Sequence, residues 1–233
     1  QMFQSRVQLS GNRIALRYKK LGIWHDVTWN EYGQKVRRVC LGLVSLGLKP
    51  GKCVSIIGEN CPEWVYIDMG AMHAGGTTVG VYSTNSWEQC KYVVDHSESR
   101  FYFVENEEQL DKSLRFRDKV PRLEKIIVWD LKGLKRFKDP MVMSFAEFLA
   151  LGENLDEQQP GLFAERWSQV KPDNLARLIY TSGTTVPPKG CVLSHRNGVF
   201  VLNSIKEVIL FPSMKKLREG EEDTPAGNPA DKA

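Results

Sequence analysis

The most informative stretch of this sequence is a strand pattern followed at once by a loop rich in hydroxyl residues. It reads Leu175-Ala-Arg-Leu-Ile-Tyr180 and then Thr181-Ser-Gly-Thr-Thr-Val-Pro-Pro-Lys-Gly190. Backbone amides and short hydroxyl side chains in a concave loop are the donors that phosphate oxygens need. Gly183 allows a tight turn close to a ligand. Lys189 adds a positive charge that can reach a phosphate.

The segments before this loop alternate between strand and helix patterns. Short apolar runs typical of buried strands occur at Cys53–Ile57, Phe101–Val104 and Ile126–Trp129. A capping box formed by Thr28 and Glu31 begins a helix with apolar residues at helical spacing. Strands that alternate with helices form a mostly parallel sheet flanked by helices on both faces. We therefore predict an α/β fold, in which ligands bind at the carboxyl ends of the strands.

Turn residues and composition mark the boundaries of the predicted elements. Two short strands surround a turn at Lys20–Gly22, and Gly47 suits the left-handed end of the first long helix. Residues Glu153–Pro172 begin with polar side chains and predict a connecting loop. The end of the chain is charged and then rich in proline, glycine and small residues, which predicts disorder. We expect one partial domain at residues 1–212 and a disordered tail at residues 213–233.

Composition and charge indicate an ordinary soluble globular protein. Of the 233 residues, 42% are hydrophobic and 26% are charged. The net charge of +4 comes from 32 basic and 28 acidic residues spread along the chain, so we expect no nucleic-acid partner. The five cysteines include no Cys-x-x-Cys pair, so we predict reduced thiols, no metal site and a cytoplasmic location. Cys191 is expected to be a buried thiol and His195 a structural or capping residue.

The loop could also be the P-loop of a nucleoside triphosphatase or an ordinary polar turn. The P-loop of nucleoside triphosphatases has glycine and then lysine followed by serine or threonine at this spacing. Here Pro188 replaces the second glycine and offers no amide hydrogen to a phosphate, and Gly190 replaces the hydroxyl residue. An ordinary polar turn remains the simplest alternative, because serine, threonine, glycine and proline are common in turns.

The longer pattern resembles the signature of the adenylate-forming superfamily of acyl-CoA synthetases, adenylation domains and luciferases. Its core is Tyr180-Thr-Ser-Gly-Thr-Thr185, followed after two residues by Pro188-Lys-Gly190 and then by Cys191-Val-Leu-Ser-His-Arg-Asn197. The similarity extends over about residues 13–210. It looks most like bacterial long-chain fatty acyl-CoA synthetases at Ile57-Gly-Glu-Asn-Cys-Pro-Glu-Trp64, Ala74-Gly-Gly76, Gly80-Val-Tyr-Ser-Thr84 and Ile126-Ile-Val-Trp-Asp130.

This resemblance implies part of the N-terminal domain of an acyl-activating enzyme and a reaction in two halves. A fatty acid carboxylate attacks the α-phosphate of magnesium-bound ATP to form acyl-adenylate, and coenzyme A then displaces AMP to form a thioester. ATP, Mg²⁺ and coenzyme A are therefore the implied cofactors. The resemblance assigns no catalytic residue in this chain. It implies that the β- and γ-phosphates of ATP are bound by Thr181, Ser182, Gly183, Thr184, Thr185 and Lys189.

The sequence departs from the family pattern in two places. Val186 stands where the family has glycine, and valine in a left-handed conformation costs about 1–3 kcal/mol. Past Pro212 the family's later elements are missing, so we expect an N-terminal fragment that is inactive by itself. The alternative is a non-catalytic nucleotide-binding or protein-interaction module. The resemblance also suggests peripheral membrane association, and unpaired sheet edges suggest self-association.

Overall fold

The computed structural model describes residues 1–181 and 187–208, with side chains described as far as residue 205. The chain divides into two compact units, residues 1–195 and residues 196–233. Within the described residues no helix is both long enough and apolar enough to cross a bilayer. The described helices are α1 Met2–Ser10, α2 Trp29–Ser45, α3 Pro62–His73, α4 Trp87–His96, α5 Glu107–Leu114, α6 Phe145–Gln158, α7 Leu162–Ser168 and α8 His195–Val208.

The strands form two sheets, of which the larger determines the architecture. The strands are β1 Ile14–Lys20, β2 Ile23–Thr28, β3 Cys53–Ile57, β4 Thr77–Val81, β5 Phe101–Val104, β6 Lys125–Val128, β7 Val142–Ser144, β8 Leu175–Thr181 and β9 Lys189–Ser194. The larger sheet has seven strands in the order β7-β6-β5-β3-β4-β8-β9. All its pairs are parallel except β8 with β9. The predicted α/β fold with a mostly parallel sheet is confirmed.

Helices cover both faces of this sheet, and each face has its own apolar core. One core joins the sheet to α2, α3, α6 and α7, with Val36, Ile67 and Phe148 fully buried. The other core joins it to α4 and α5 and contains Cys90 and Tyr180. Strands β3, β5 and β6 are mainly apolar and almost entirely buried, because helices cover both faces of the sheet there.

Helix α2 begins and ends as the sequence predicts. The Thr28 hydroxyl accepts from the amide of Glu31 at 3.2 Å, and the Glu31 carboxylate accepts from the amide of Thr28 at 2.7 Å. At the other end Gly47 has φ +85°. The amides of Gly47 and Leu48 donate back to Val44 and Leu43, the pattern of a Schellman motif. Local sequence alone therefore accounts for both ends of this helix.

The connecting loop predicted at residues 153–172 is wrong, because α6 continues to Gln158 and α7 follows from Leu162. The polar residues that suggested a loop bind arginines of α2. Arg37 donates to both carboxylate oxygens of Asp156 at 2.6 Å, and Arg38 forms an ion pair with Glu153. The apolar residues of this region, Leu155, Leu162, Phe163 and Trp167, pack against the core that contains α2. Tertiary contacts thus override the weak local signal.

The antiparallel pair β1–β2 forms a hairpin with a two-residue turn at Leu21-Gly22. Both turn residues have positive φ, +50° for Leu21 and +83° for Gly22, which is the conformation that matches the twist of a hairpin. The predicted strands around this turn are confirmed. Glycine is well suited to such a conformation, whereas leucine is an unusual choice.

Candidate functional site

The candidate site lies at the carboxyl end of β8, where the chain reverses direction into the antiparallel strand β9. Thr181 is the last residue of β8, and Lys189 is the first residue of β9. The two residues are directly paired across the antiparallel ladder. Cross-strand neighbours have Cβ atoms about 5 Å apart and their side chains project from the same face. The structure therefore brings together the first and last of the predicted phosphate-binding residues.

The remaining predicted site residues lie outside the described part of the chain, namely Ser182, Gly183, Thr184 and Thr185, as does Val186. Their assignment stays a prediction. The pairing of Thr181 with Lys189 shows that residues 182–188 connect two adjacent antiparallel strands. β8 itself is parallel to β4. The loop therefore leaves the sheet at the edge where α/β proteins bind ligands.

The side chains of Thr181 and Lys189 supply a hydroxyl and an ammonium group at one place. Both residues are exposed. Within residues 1–181 and 187–205, the side-chain ion pairs include none to Lys189. An ammonium group has three donors and no acceptor, so this pair of side chains suits an anion.

The opposite face of the same strand pair contacts helix α4. The Tyr92 hydroxyl donates to the carbonyl oxygen of Pro188 at 2.9 Å. The Nδ1 atom of His96 lies 2.8 Å from the hydroxyl of Tyr180. Both contacts join residues that are far apart in the chain, so local sequence does not predict them. The only sequence signal was the four-residue spacing of Tyr92 and His96, which places both on one helix face.

Metal-ligating side chains do not converge in the part of the chain that the structure describes. No group of three histidine, cysteine, aspartate or glutamate side chains could hold a metal ion there. The carboxylates at this edge of the sheet bind protein groups instead, since Glu105 accepts from the amide of Glu59 at 2.8 Å and Glu59 accepts from Ser83 at 2.6 Å. The carboxylates of Glu59 and Glu105 are therefore already engaged by protein donors.

Comparison with known proteins decides the family. The sequence profile of the AMP-binding enzyme family matches residues 3–223. This chain belongs to the AMP-binding enzyme family. The match includes the whole β8–β9 region, so the signature at residues 180–190 lies within the matched part of the chain.

Several curated relatives of this AMP-binding chain are long-chain-fatty-acid–CoA ligases. The ACSBG2 ligase of Xenopus laevis is 39% identical over 197 residues, which cover 84% of this chain and 26% of that protein. The ACSBG2 ligase of Gallus gallus is 40% identical over 198 residues, covering 84% of this chain and 25% of that protein. The chain thus spans about a quarter of the length of these relatives.

Solved structures of adenylate-forming enzymes share the fold of the AMP-binding chain. The anthranilate CoA ligase AuaEII, in complex with anthranoyl-AMP, has a TM-score of 0.70 at 22% identity, covering 84% of this chain and 34% of that one. A fatty acyl-adenylate ligase from L. pneumophila, in complex with acyl adenylate and pyrophosphate, has a TM-score of 0.64 at 19% identity, covering 88% and 31%. At these identities the likeness establishes the fold alone.

Three other residues considered as functional candidates, His73, His195 and Cys191, differ in their surroundings. Burial lowers the pKa of His73 to about 4, and its ring stacks on Phe163 at 5.8 Å, so it is a neutral packing residue at pH 7. Burial also lowers the pKa of His195. The prediction of a buried thiol at Cys191 is wrong, because Cys191 is exposed on the edge strand β9.

A cavity lies at the other end of the sheet. It has a volume of about 340 Å³ and is lined by residues that precede β3, β4 and β8, including Gly51, Gly75 and Asn174. A second cluster at this end joins Asp68, which is 3% exposed, to Thr78 at 2.7 Å and to Arg177. These groups satisfy one another and tie α3 to β4 and β8. Neither the cavity nor this cluster contains a residue of the signature at residues 180–190.

Proposed function

We propose that this chain binds the triphosphate of ATP at the β8–β9 loop, in a protein that joins long-chain fatty acids to coenzyme A with release of AMP. The pairing of Thr181 with Lys189 carries the proposal, because it brings the two ends of the family's signature together at the ligand-binding edge of the sheet. The identity of 39–40% to fatty-acid–CoA ligases supports the substrate class.

The chemistry assigned to the loop is electrostatic. When a carboxylate attacks the α-phosphorus of ATP, the bond to pyrophosphate breaks and negative charge accumulates on the leaving group. Donors that are already in place stabilise this charge without reorganising. Thr181 and Lys189, together with Ser182, Gly183, Thr184 and Thr185, would hold the β- and γ-phosphates. Mg²⁺ would enter with ATP, and coenzyme A would accept the acyl group.

The proposed function predicts that the phosphates supply most of the binding free energy. Titration calorimetry of the chain should detect ATP binding. Pyrophosphate should compete with ATP, whereas adenosine should compete at least about tenfold more weakly, because a charged hydrogen bond contributes more than a neutral one. Competition by adenosine as strong as by pyrophosphate would contradict the assignment of the loop.

A non-catalytic module for nucleotide or protein binding is the second candidate function. Among the described strands β9 pairs only with β8, and Val192 on it is 53% exposed. An open edge of this kind can pair with a strand of another chain, so we also propose self-association there. This second function would be favoured if titration calorimetry detected no heat of ATP binding and light scattering gave the molecular mass of a dimer. The inactivity expected for the isolated chain stays a prediction.

For the location we propose a cytoplasmic protein that associates peripherally with membranes through the β1–β2 hairpin. The tip of the hairpin has three strongly exposed large apolar side chains, Leu21 (95% exposed) in the turn and Ile23 (64%) and Trp24 (62%) at the start of β2. The exposed Lys19 and Lys20 precede them. Exposed apolar residues that include a tryptophan and are preceded by lysines are typical of segments that insert at an anionic lipid surface.

The membrane proposal predicts that Leu21→Asn reduces binding to vesicles containing anionic lipid by roughly thirtyfold, since burying a leucine contributes about 2 kcal/mol. Asparagine tolerates the positive φ of this position, so the turn should persist. Co-sedimentation with vesicles measures the effect. The control is Leu131→Asn, because Leu131 is also an exposed leucine (45%) but lies outside the hairpin. Equal binding by the Leu21 variant and the unmodified chain would refute the proposal.

A further inference from the structure

Helix α4 holds the two ends of the signature loop from the far side of the sheet. Its Tyr92 hydroxyl binds the carbonyl of Pro188, the residue before Lys189. Its His96 ring binds the phenol of Tyr180, the residue before Thr181. One helix therefore contacts the residues on both sides of the cross-strand pair that carries the proposed phosphate donors.

Ring packing fixes the geometry of these two hydrogen bonds. The ring of Tyr92 stacks on that of His96, with centroids 5.3 Å apart. Both rings meet Tyr180 edge to face, at 6.4 Å for Tyr92 and 5.7 Å for His96. Tyr180 in turn covers Gly190, where an added Cβ would lie 3.3 Å from the Tyr180 ring. The loop ends are thus packed and hydrogen-bonded in one arrangement.

Helix α4 is itself attached firmly to the protein core. It begins with a capping box, in which the Ser86 hydroxyl accepts from the amide of Gln89 and the Gln89 side chain accepts from the amide of Ser86. Cys90 and Val94 on its inner face are fully buried. Because these anchors do not involve the loop, the helix provides a fixed support against which the loop is positioned.

The protonation of Tyr180 suits its bond to His96. Burial raises the pKa of the Tyr180 phenol to about 12, so the hydroxyl keeps its proton at neutral pH. A protonated phenol can donate to the Nδ1 atom of a neutral imidazole. The bond therefore does not require an ionised Tyr180 phenol.

We propose that Tyr92 and His96 are positioning residues that set the phosphate-binding geometry of the β8–β9 loop without touching the nucleotide. The inference rests on the proposed function, since it concerns the same loop. Binding groups held in place before the ligand arrives lose less entropy on binding. Freeing either end of the loop should therefore weaken phosphate binding even in a folded protein.

The test uses matched variants of the whole chain and two measurements. Tyr92→Phe removes one hydroxyl, and His96→Leu removes the ring nitrogen that binds Tyr180. Each should weaken ATP binding roughly three- to tenfold, the equivalent of one hydrogen bond. His96→Asn places a polar atom near the position of Nδ1 and should restore most of the affinity. Hydrogen exchange at the amides of Thr181 and Lys189 should accelerate in the first two variants.

Tyr66→Phe is the control, because it removes a hydroxyl from a buried tyrosine of the other core. It should change neither measurement at a temperature well below unfolding. Unchanged ATP affinity in Tyr92→Phe and His96→Leu, or no rescue by His96→Asn, would overturn the positioning role. If the unmodified chain does not bind ATP, the proposed function fails, and unchanged hydrogen exchange in Tyr92→Phe would then overturn the role of α4 separately.

Discussion

Lys189→Ala is expected to lower the affinity of the chain for ATP by roughly 10- to 100-fold. A hydrogen bond to a charged group contributes about 1.5–3 kcal/mol, and each 1.4 kcal/mol corresponds to a factor of ten in affinity. Lys189 stands at the end of the loop opposite Thr181, and no carboxylate of residues 1–181 and 187–205 forms an ion pair with it. Its ammonium group is thus available to phosphate oxygens. Titration calorimetry at fixed ionic strength measures the change.

The control for this variant is Lys49→Ala, which removes an equal charge at an exposed position before β3, at the amino end of the sheet. It should leave ATP affinity within about twofold, since separated surface charges are screened by salt. Fold integrity is checked by circular dichroism. If the two alanine variants lose affinity equally, the effect is one of net charge and Lys189 has no special role.

Gly152→Ala is expected to destabilise the chain by about 1–2 kcal/mol, although alanine is the better helix former. Gly152 lies in α6 where that helix crosses α2. A Cβ added there would overlap the carbonyl oxygen of Arg38 and come within 2.8 Å of the amide nitrogen of Gly42. Both are backbone atoms that cannot rotate away, so the two helices must separate. Overpacking of this kind costs about 1–3 kcal/mol and occasionally more.

Helix propensity acts in the opposite direction, since alanine exceeds glycine by about 1 kcal/mol in a helix. The sign of the result therefore decides whether packing or propensity dominates. Urea unfolding followed by circular dichroism gives the free energy. Gly161→Ala is the matched control, because nothing lies within 4 Å of a Cβ there, and its stability should change by less than about 0.5 kcal/mol. A Gly152 variant as stable as this control would show that α2 and α6 do not pack as described.

Short-range signals in the sequence predicted much of the scaffold. The Thr28–Glu31 capping box, the Gly47 helix end and the apolar strands β3 and β5 were all correct, because each depends on residues close together in the chain. The family signature at Tyr180–Gly190 was also recognisable from sequence, since its residue types and spacing are specific. These features need no knowledge of distant partners.

The errors arose where distant residues compensate for a weak local pattern. Residues 153–158 look polar, yet Glu153 and Asp156 bind the arginines of α2. Cys191 follows an alternating pattern that suggests burial, but β9 lies at the edge of the sheet and leaves it exposed. Local sequence does not determine which strand lies at the edge of the sheet. Nor does it determine which distant helix supplies the arginines that pair with acidic residues.

The sequence by itself determined the family, the α/β class and the residues proposed to bind phosphate, because a specific run of residue types encodes that loop. Only the tertiary structure decided that Thr181 lies opposite Lys189 and that Tyr92 and His96 on α4 hold the loop ends. The two contacts from α4 join residues more than 80 positions apart in the chain. They exist only once the sheet has assembled and its packing has brought the helix beneath the loop.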